Sequence, residues 1–290
     1  MNILVTGANG QLGRELRLLA QGSAHRFVFT DISEIPGLPV ERLDILDADA
    51  VDAIADRESV DLIINCAAYT DVERAEDDFD LAMRLNAEAP ANLARTAGRR
   101  NAVLVHISTD YVFAGDGCTP IPEDAPVRPL SAYGKTKRAG EEAVLASNCG
   151  AIILRTAWLY SPFGKNFVKT MLRLTEERDS LNVVFDQTGS PTAAADLAAA
   201  ILDIVDSGQL HKYGIYHYTD EGVTSWYDFA RAIAALGGHS CDIRPCRSEQ
   251  FPTKARRPQY SVLDKTLFRE TFGIQIPWWY DSLKKCIDRL

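Results

Sequence analysis

The sequence has no Cys-x-x-Cys pair and no Cys/His cluster at zinc-ligand spacing. Its six cysteines, Cys66, Cys118, Cys149, Cys241, Cys246 and Cys286, are scattered, a pattern that suits reduced thiols rather than a disulfide or zinc framework. No apolar run approaches the roughly eighteen residues of a membrane helix. Positive charge is also short: 31 Lys and Arg stand against 40 Asp and Glu, a net charge of −9. A uniformly acidic chain lacks the basic field of a nucleic-acid binder, although one local basic pocket for a phosphate stays open. The opening Met1-Asn2-Ile3-Leu4-Val5 has no charged leader and no cleavage site, so a cytoplasmic location is expected. No repeat or low-complexity tract interrupts the chain. What remains is a globular composition, 46% apolar over 290 residues, enough for one large or two ordinary domains.

Apolar runs alternate with helical patterns. Ile3-Leu4-Val5, Phe27-Val28-Phe29, Leu62-Ile63-Ile64, Val103 to Ile107 and Ala151 to Leu154 read as strands, with helices between them, one of them long, over roughly Asp80 to Gly98. Strands that are apolar throughout predict a parallel sheet covered on both faces. The fold class expected is α/β, a doubly wound parallel-sheet NAD(P)-binding Rossmann fold with a smaller α+β substrate domain. Residues 1–155 would form the dinucleotide-binding domain. Residues 156–290 would be mainly substrate-binding, with segments returning to the first domain.

Gly7-Ala8-Asn9-Gly10-Gln11-Leu12-Gly13 follows the first strand directly. Glycines there permit a tight turn and bring backbone N–H groups at a helix N-terminus close to a pyrophosphate. Gly7, Asn9, Gly10, Gln11, Leu12 and Gly13 are therefore cofactor candidates. Asp31, after the second strand, stands where a carboxylate meets the adenosine ribose and favours NADH; it also suits a turn-initiating aspartate. Arg14 and Arg26 would admit the phosphate of NADPH. Leu43 and Asp44 are candidates for the adenine side, with a solvated loop acid as the alternative for Asp44.

Ser108-Thr109-Asp110 ends a strand, and Tyr133-Gly134-Lys135-Thr136-Lys137 opens a helix after a Pro/Gly-rich loop. Tyr133 and Lys137 are four apart and share a helix face. An ammonium beside a phenol would lower its pKa and fit Tyr133 for proton transfer, with Thr109 stabilising charge on a carbonyl oxygen and Lys137 holding a ribose. Tyr280 and Lys284 repeat the spacing, but in a C-terminal helix without a Ser/Thr strand end, and read as an ordinary helix with an exposed lysine. Arg256 and Arg257, before Pro258, would clamp a diphosphate or else form solvated or ion-paired contacts. His106 reads as a satisfied core histidine.

These segments, with Asn65-Cys66-Ala67-Ala68-Tyr69-Thr70-Asp71-Val72-Glu73-Arg74-Ala75-Glu76, Arg155-Thr156-Ala157-Trp158-Leu159-Tyr160, Asp186 to Thr192 and Ala255-Arg256-Arg257-Pro258, carry a resemblance. The first 160 residues resemble the extended short-chain dehydrogenases/reductases. Nearly the whole chain resembles their dTDP-4-dehydrorhamnose reductase branch. The resemblance implies reduction of the C4 ketone of a nucleotide-linked deoxysugar by NADPH or NADH. Tyr133 would be the proton donor, Lys137 its partner and Thr109 the third catalytic residue. Ala67, Ala68 and Tyr69 would line the nicotinamide half, with Asn86 supporting the cofactor floor. Thr109, Asp110 and Trp158 would contact the sugar nucleotide, unless Trp158 is simply a core residue. Some members of the branch hold magnesium at a dimer contact through acidic side chains. Glu15 matches one such position, but alanines stand beside Asp196 where another is sought, so no metal site is assigned and a homodimer stays open. The same fold and motif order also occur in a non-catalytic regulatory subunit of methionine adenosyltransferase, and in reductases or epimerases of other 4-ketosugars. Both readings remain as alternatives.

Overall fold

A computed structural model describes residues 1–290. The strands are β1 (Asn2–Thr6), β2 (Arg26–Asp31), β3 (Glu41–Arg42), β4 (Leu62–Asn65), β5 (Val103–Thr109), β6 (Gly150–Thr156), β7 (Leu159–Tyr160), β8 (Ser180–Val184), β9 (Thr188–Gly189), β10 (Thr192–Ala193), β11 (Gly214–His217), β12 (Thr224–Ser225) and β13 (Asp242–Cys246). The helices are α1 (Gln11–Ala20), α2 (Ala48–Arg57), α3 (Phe79–Met83), α4 (Ala89–Arg100), α5 (Ala132–Ala146), α6 (Phe167–Glu177), α7 (Ala194–Asp206), α8 (Trp226–Leu236), α9 (Thr266–Phe272) and α10 (Trp279–Ile287).

Because β1, β4 and β5 are apolar on both faces, they can only be stable in the middle of a sandwich. They form the centre of a seven-stranded sheet, in order β11-β6-β5-β4-β1-β2-β3, every pair parallel. One face, Ile3, Val5, Leu62 and Ile64, packs on Leu12 and Leu16 of α1 and Leu197 and Ile201 of α7. The other, Leu4, Ile63 and Leu104, packs on Val51 of α2, Leu93 of α4 and Val144 of α5. The strand order reverses between β1 and β4. In open α/β sheets the crevice beyond the strand ends at such a point is where ligands bind.

The long helical stretch is not uniform. α3 passes through a π-helical turn, Arg84–Glu88, before α4 begins with Pro90 in its first turn. The wider turn carries Asn86, which lies fully buried. Such π-turns cluster at functional sites.

After β6 the chain builds a second lobe and also revisits the first. α6, α8, α10, β8 and β13 enclose an aromatic core of Tyr160, Phe229, Ile233, Ile243 and Trp279. Between them, α7 lies on the main sheet beside α1, and β11 pairs with β6 from Gly214↔Ile152 to His217↔Arg155. Phe268 and Phe272 of α9 join that same core. The sheet edge is thus completed by residues distant in sequence.

Candidate active site

The glycine turn is shaped by steric necessity. Gly7 has φ +66°, and a Cβ there would lie 2.6 Å from the Ala67 backbone nitrogen. At Gly13 a Cβ would meet the Gly7 carbonyl oxygen at 2.5 Å. The turn therefore sits directly against the exit of β4. Gly10, the N-cap of α1, contributes no side-chain capping bond, so the helix presents its first-turn N–H groups to the crevice. The residues present thus fit the pyrophosphate of a dinucleotide.

Asp31 braces this turn. Its Oδ2 accepts from the Asn9 backbone N–H at 3.0 Å, and its Oδ1 from the Ser33 N–H and hydroxyl at 3.0 and 2.8 Å. The carboxylate lies at the crevice as expected, but each oxygen already carries a local bond, and the aspartate-initiated turn exists as well. Leu43 is buried and its N–H donates to the Asp31 carbonyl, while Asp44 accepts from the Leu46 N–H. Arg14 stacks over the Phe163 ring at 3.9 Å. Arg26 does not belong to the site: it opens β2 at the end opposite Asp31 and pairs with Glu58.

Beyond β4, a row of polar side chains crosses the sheet. Thr6 donates to Asn65 at 2.7 Å, and Asn65 bonds His106 at 3.0 Å and the Ala67 N–H at 3.1 Å. Burial holds His106 far below the usual imidazole range, so the ring is neutral and its Nδ1 accepts. Its Nε2 has no partner, so the expectation of a fully satisfied core histidine holds for one nitrogen only.

Asn86 lies behind the Ala67-Ala68-Tyr69 segment and is bonded to it. Its Oδ1 accepts from the Tyr69 N–H at 2.8 Å, and its Nδ2 donates to the Tyr69 carbonyl and to Thr136, each at 3.0 Å. Its amide is spent on holding the Ala67-Ala68-Tyr69 segment against α5, so any effect on a cofactor passes through that segment.

α5 starts at the crevice because Ser131 caps it through the Gly134 N–H at 3.1 Å, and Glu76 accepts from the Ala132 N–H at 2.8 Å. Tyr133 and Lys137 share its inward face. Lys137 is buried, and its Nζ donates to the Ile107 carbonyl at 2.7 Å. Burial pulls it down to about 8 and the field of Glu141 raises it in part. Tyr133 is half-buried in edge-to-face contact with Tyr111, ring centroids 5.5 Å apart. The expected lowering of its phenol by Lys137 is not found. Desolvation pushes the phenol above its ordinary range, offset in part by its hydrogen-bonding neighbour Thr109, while the Lys137 ammonium is turned to the strand carbonyl.

Thr109 donates to Asp110 Oδ1 at 3.0 Å. Asp110 is 2% exposed, and burial pushes it up to about 6. Its Oδ2 makes no bond of good geometry, although the Ser261 hydroxyl lies beside it. A buried carboxyl short of one partner at a strand end can accept from a further hydroxyl.

The other substrate candidates separate. Trp158, with φ +49°, stacks one face on Trp226 at 3.5 Å, so it does not present an open indole on both sides. Arg256 and Arg257 lie in an irregular segment and meet different surroundings. Arg256 is exposed, whereas Arg257 pairs with Glu73 at 2.8 Å, and its Nε is unpartnered. Glu73 also accepts from the Lys254 N–H at 2.8 Å, which ties the two lobes together. Sequence reasoning missed Glu73, Ser261, Glu141 and Arg155. Only Arg155 carried a local signal, a charge inside an otherwise apolar strand.

Elsewhere, Tyr280 packs on Trp278 and Trp279 and Lys284 is exposed. Glu15 Oε2 accepts from Arg289 at 3.0 Å, so a guanidinium already faces that carboxylate. No helix is long and apolar enough to cross a membrane.

Residues 1–290 match the family described as the RmlD substrate binding domain. The chain belongs to this family. A relative named dTDP-4-dehydrorhamnose reductase, from Aggregatibacter actinomycetemcomitans, is 41% identical over 97% of each chain. A solved dTDP-4-dehydrorhamnose reductase from Clostridium acetobutylicum superposes with TM-score 0.93 at 45% identity, covering 100% of this chain and 99% of the other. Another, from Bacillus anthracis, solved in complex with NADP, gives TM-score 0.91 at 36% identity over the same shares.

Proposed function

We propose that this protein reduces the C4 ketone of dTDP-4-dehydro-6-deoxy-L-mannose to dTDP-L-rhamnose, using NADPH or NADH. The observation that carries the reading is the placement of Tyr133, Lys137 and Thr109 at the end of β5, across the crevice from the glycine turn, in a chain matched over its full length by reductases of this kind. The reaction needs a hydride at the ketone carbon and a proton at its oxygen. A bound nicotinamide supplies the hydride.

The chain's own residues supply the rest. Burial keeps the Tyr133 phenol protonated at neutral pH, the state a proton donor requires. Its proton passes to the ketone oxygen as negative charge develops there. The Thr109 hydroxyl, turned from Asp110 to that oxygen, donates a hydrogen bond to it and lowers the cost of the charge. Lys137 contributes a cation below the sugar, and its ammonium holds the nicotinamide ribose. The glycine turn binds the pyrophosphate, and the Asp31 carboxylate faces the adenosine ribose. Arg257 reaches the diphosphate of the sugar nucleotide from the second lobe, and Asp110 takes a sugar hydroxyl. The nucleotide sugar is thus gripped from both lobes with its ketone at Tyr133.

A coupled assay tests this. The ketosugar is generated in place, cofactor absorbance is followed with NADPH and NADH separately, and the product sugar is identified. Ketosugar-dependent oxidation with dTDP-L-rhamnose as product is expected. Nucleotide binding without that oxidation would defeat the reading.

A further inference from the structure

Beneath the site lies a buried ion pair that the chemistry above does not use. Arg155 is 1% exposed and Glu141 is fully buried. Arg155 Nε and Nη2 donate to Glu141 Oε1 and Oε2 at 2.7 and 2.8 Å, a bidentate pair between β6 and α5. Ser108 of β5 donates to Glu141 Oε1 at 2.7 Å, and Arg138 Nη1 to Oε2 at 3.1 Å. A buried pair of this kind seldom adds net stability over an apolar substitute, so its retention calls for another reason.

The position of Glu141 supplies one. Tyr133, Lys137 and Glu141 follow one another at four-residue steps along one face of α5. All three meet consecutive residues of β5: Tyr133 meets Thr109, Lys137 the Ile107 carbonyl, and Glu141 the Ser108 hydroxyl. Behind them, Arg155 Nη1 lies 3.4 Å from His217 Nε2 on β11, and His217 Nδ1 lies 3.1 Å from the Ile121 carbonyl. Burial and Arg155 hold His217 down to about 3, so its ring is neutral, donating through Nδ1 and accepting through Nε2. Ile121 in turn donates its N–H to Val262, next to Ser261 at the substrate side.

We infer that Glu141 is a positioning residue for the reductase reaction: its carboxylate, locked by Arg155 and Ser108, stands as the buried anion one helical turn behind Lys137 and sets the register of the Tyr133 face of α5 on β5. The inference rests on the function proposed above. Lys137 is faced by Tyr133 and Glu141 on its own helix and by His106 on β5. Glu141 itself is faced by Arg138, by Arg155 on β6 and by Ser108 on β5, with His217 of β11 behind Arg155. His106 and His217 are neutral, so the anion whose field opposes the desolvation of Lys137 is Glu141.

The test compares wild type, Glu141→Gln and Glu141→Asp by the pH profile of kcat/KM and by NADPH fluorescence titration across pH. In Glu141→Gln the high-pH loss of both activity and NADPH affinity should move down by on the order of one pH unit, roughly a fivefold loss at pH 8 that approaches tenfold at higher pH. Glu141→Asp, which keeps the charge, should restore most of the wild-type profile. Should Glu141→Gln fail to fold through the stranded Arg155 cation, the neutral pair Glu141→Gln with Arg155→Gln should fold and show a smaller shift in the same direction, since loss of the Arg155 cation offsets part of the loss of the anion. Profiles of unchanged shape in folded Gln variants would overturn the inference. If wild type binds NADPH but turns over no ketosugar, the proposed function fails, while the pH dependence of NADPH affinity still decides the role of Glu141.

Discussion

Replacing Asn86 by alanine removes a clamp that touches no ligand, and the structure sets its cost. Three hydrogen bonds disappear, to the Tyr69 N–H, the Tyr69 carbonyl and Thr136. Leaving a buried polar group unpaired costs about 1–3 kcal/mol. Tyr69 is only half-buried, so water repairs part of the loss, and Thr136 keeps its bond to the Tyr133 carbonyl at 2.9 Å. The expected destabilisation is therefore on the order of 3 kcal/mol, which for a chain of this size is roughly a 5 °C fall in Tm. Because the freed segment borders the glycine turn, NADPH affinity should fall as well, by about tenfold if 1.4 kcal/mol of ordering must be supplied on binding. Differential scanning fluorimetry with and without NADPH, together with a fluorescence titration, measures both effects. A variant within 1 kcal/mol of wild type and with unchanged NADPH affinity would refute the reading of Asn86 as the brace of Tyr69.

Other predictions concern the site directly. Tyr133→Phe should bind NADPH normally while kcat falls by about 10²–10⁴, the usual contribution of a positioned acid; near-normal turnover would remove Tyr133 as proton donor. Lys137 loses its charge near pH 8 when folded but near 10.4 when unfolded, so the unfolded chain binds more protons between those values. Its contribution to stability should therefore rise with pH through that window and vanish in Lys137→Met, as read by urea unfolding at pH 7.5 and 10. Arg257→Ala breaks a half-exposed pair and should cost no more than about 1 kcal/mol of stability, yet raise the KM for the nucleotide sugar about tenfold or more. An unaltered KM would place the diphosphate elsewhere. Gly7→Ala forces a Cβ onto the Ala67 backbone and should abolish NADPH retention on a dye or nucleotide column.

Much of this architecture was legible because it is local. The runs Ile3-Leu4-Val5 and Leu62-Ile63-Ile64 are apolar at every position, which only a doubly covered parallel strand explains, and the structure places both at the sheet centre. The glycine turn and the Tyr133–Lys137 helix face follow from spacing alone. What escaped depends on contacts between distant segments. That Asn86 holds Tyr69 follows from a π-turn, which the sequence marks only through Pro90, whose missing N–H leaves the Asn86 carbonyl without its helical donor but does not tell where the side chain turns. The state of the Tyr133 phenol turned on burial and on the direction in which Lys137 points, and neither is a property of spacing. The separate fates of Arg256 and Arg257 depend on Glu73, more than 180 residues away.

The edge strand β11 also bears on how the protein is made. β6 ends at Thr156, but the strand that covers its open edge ends at His217, roughly sixty residues later. During synthesis from the N-terminus, the apolar edge Ala151 to Leu154 therefore emerges with its backbone N–H and C=O groups unpaired, a template for strands of other chains. A fragment stopped near residue 156 would keep every glycine of the cofactor turn and still be prone to aggregate. Native assembly is a late, long-range event that waits on β11 and on α7 beside it. Slowing translation across residues 157–217 should lower the soluble yield more than the same pause placed after His217.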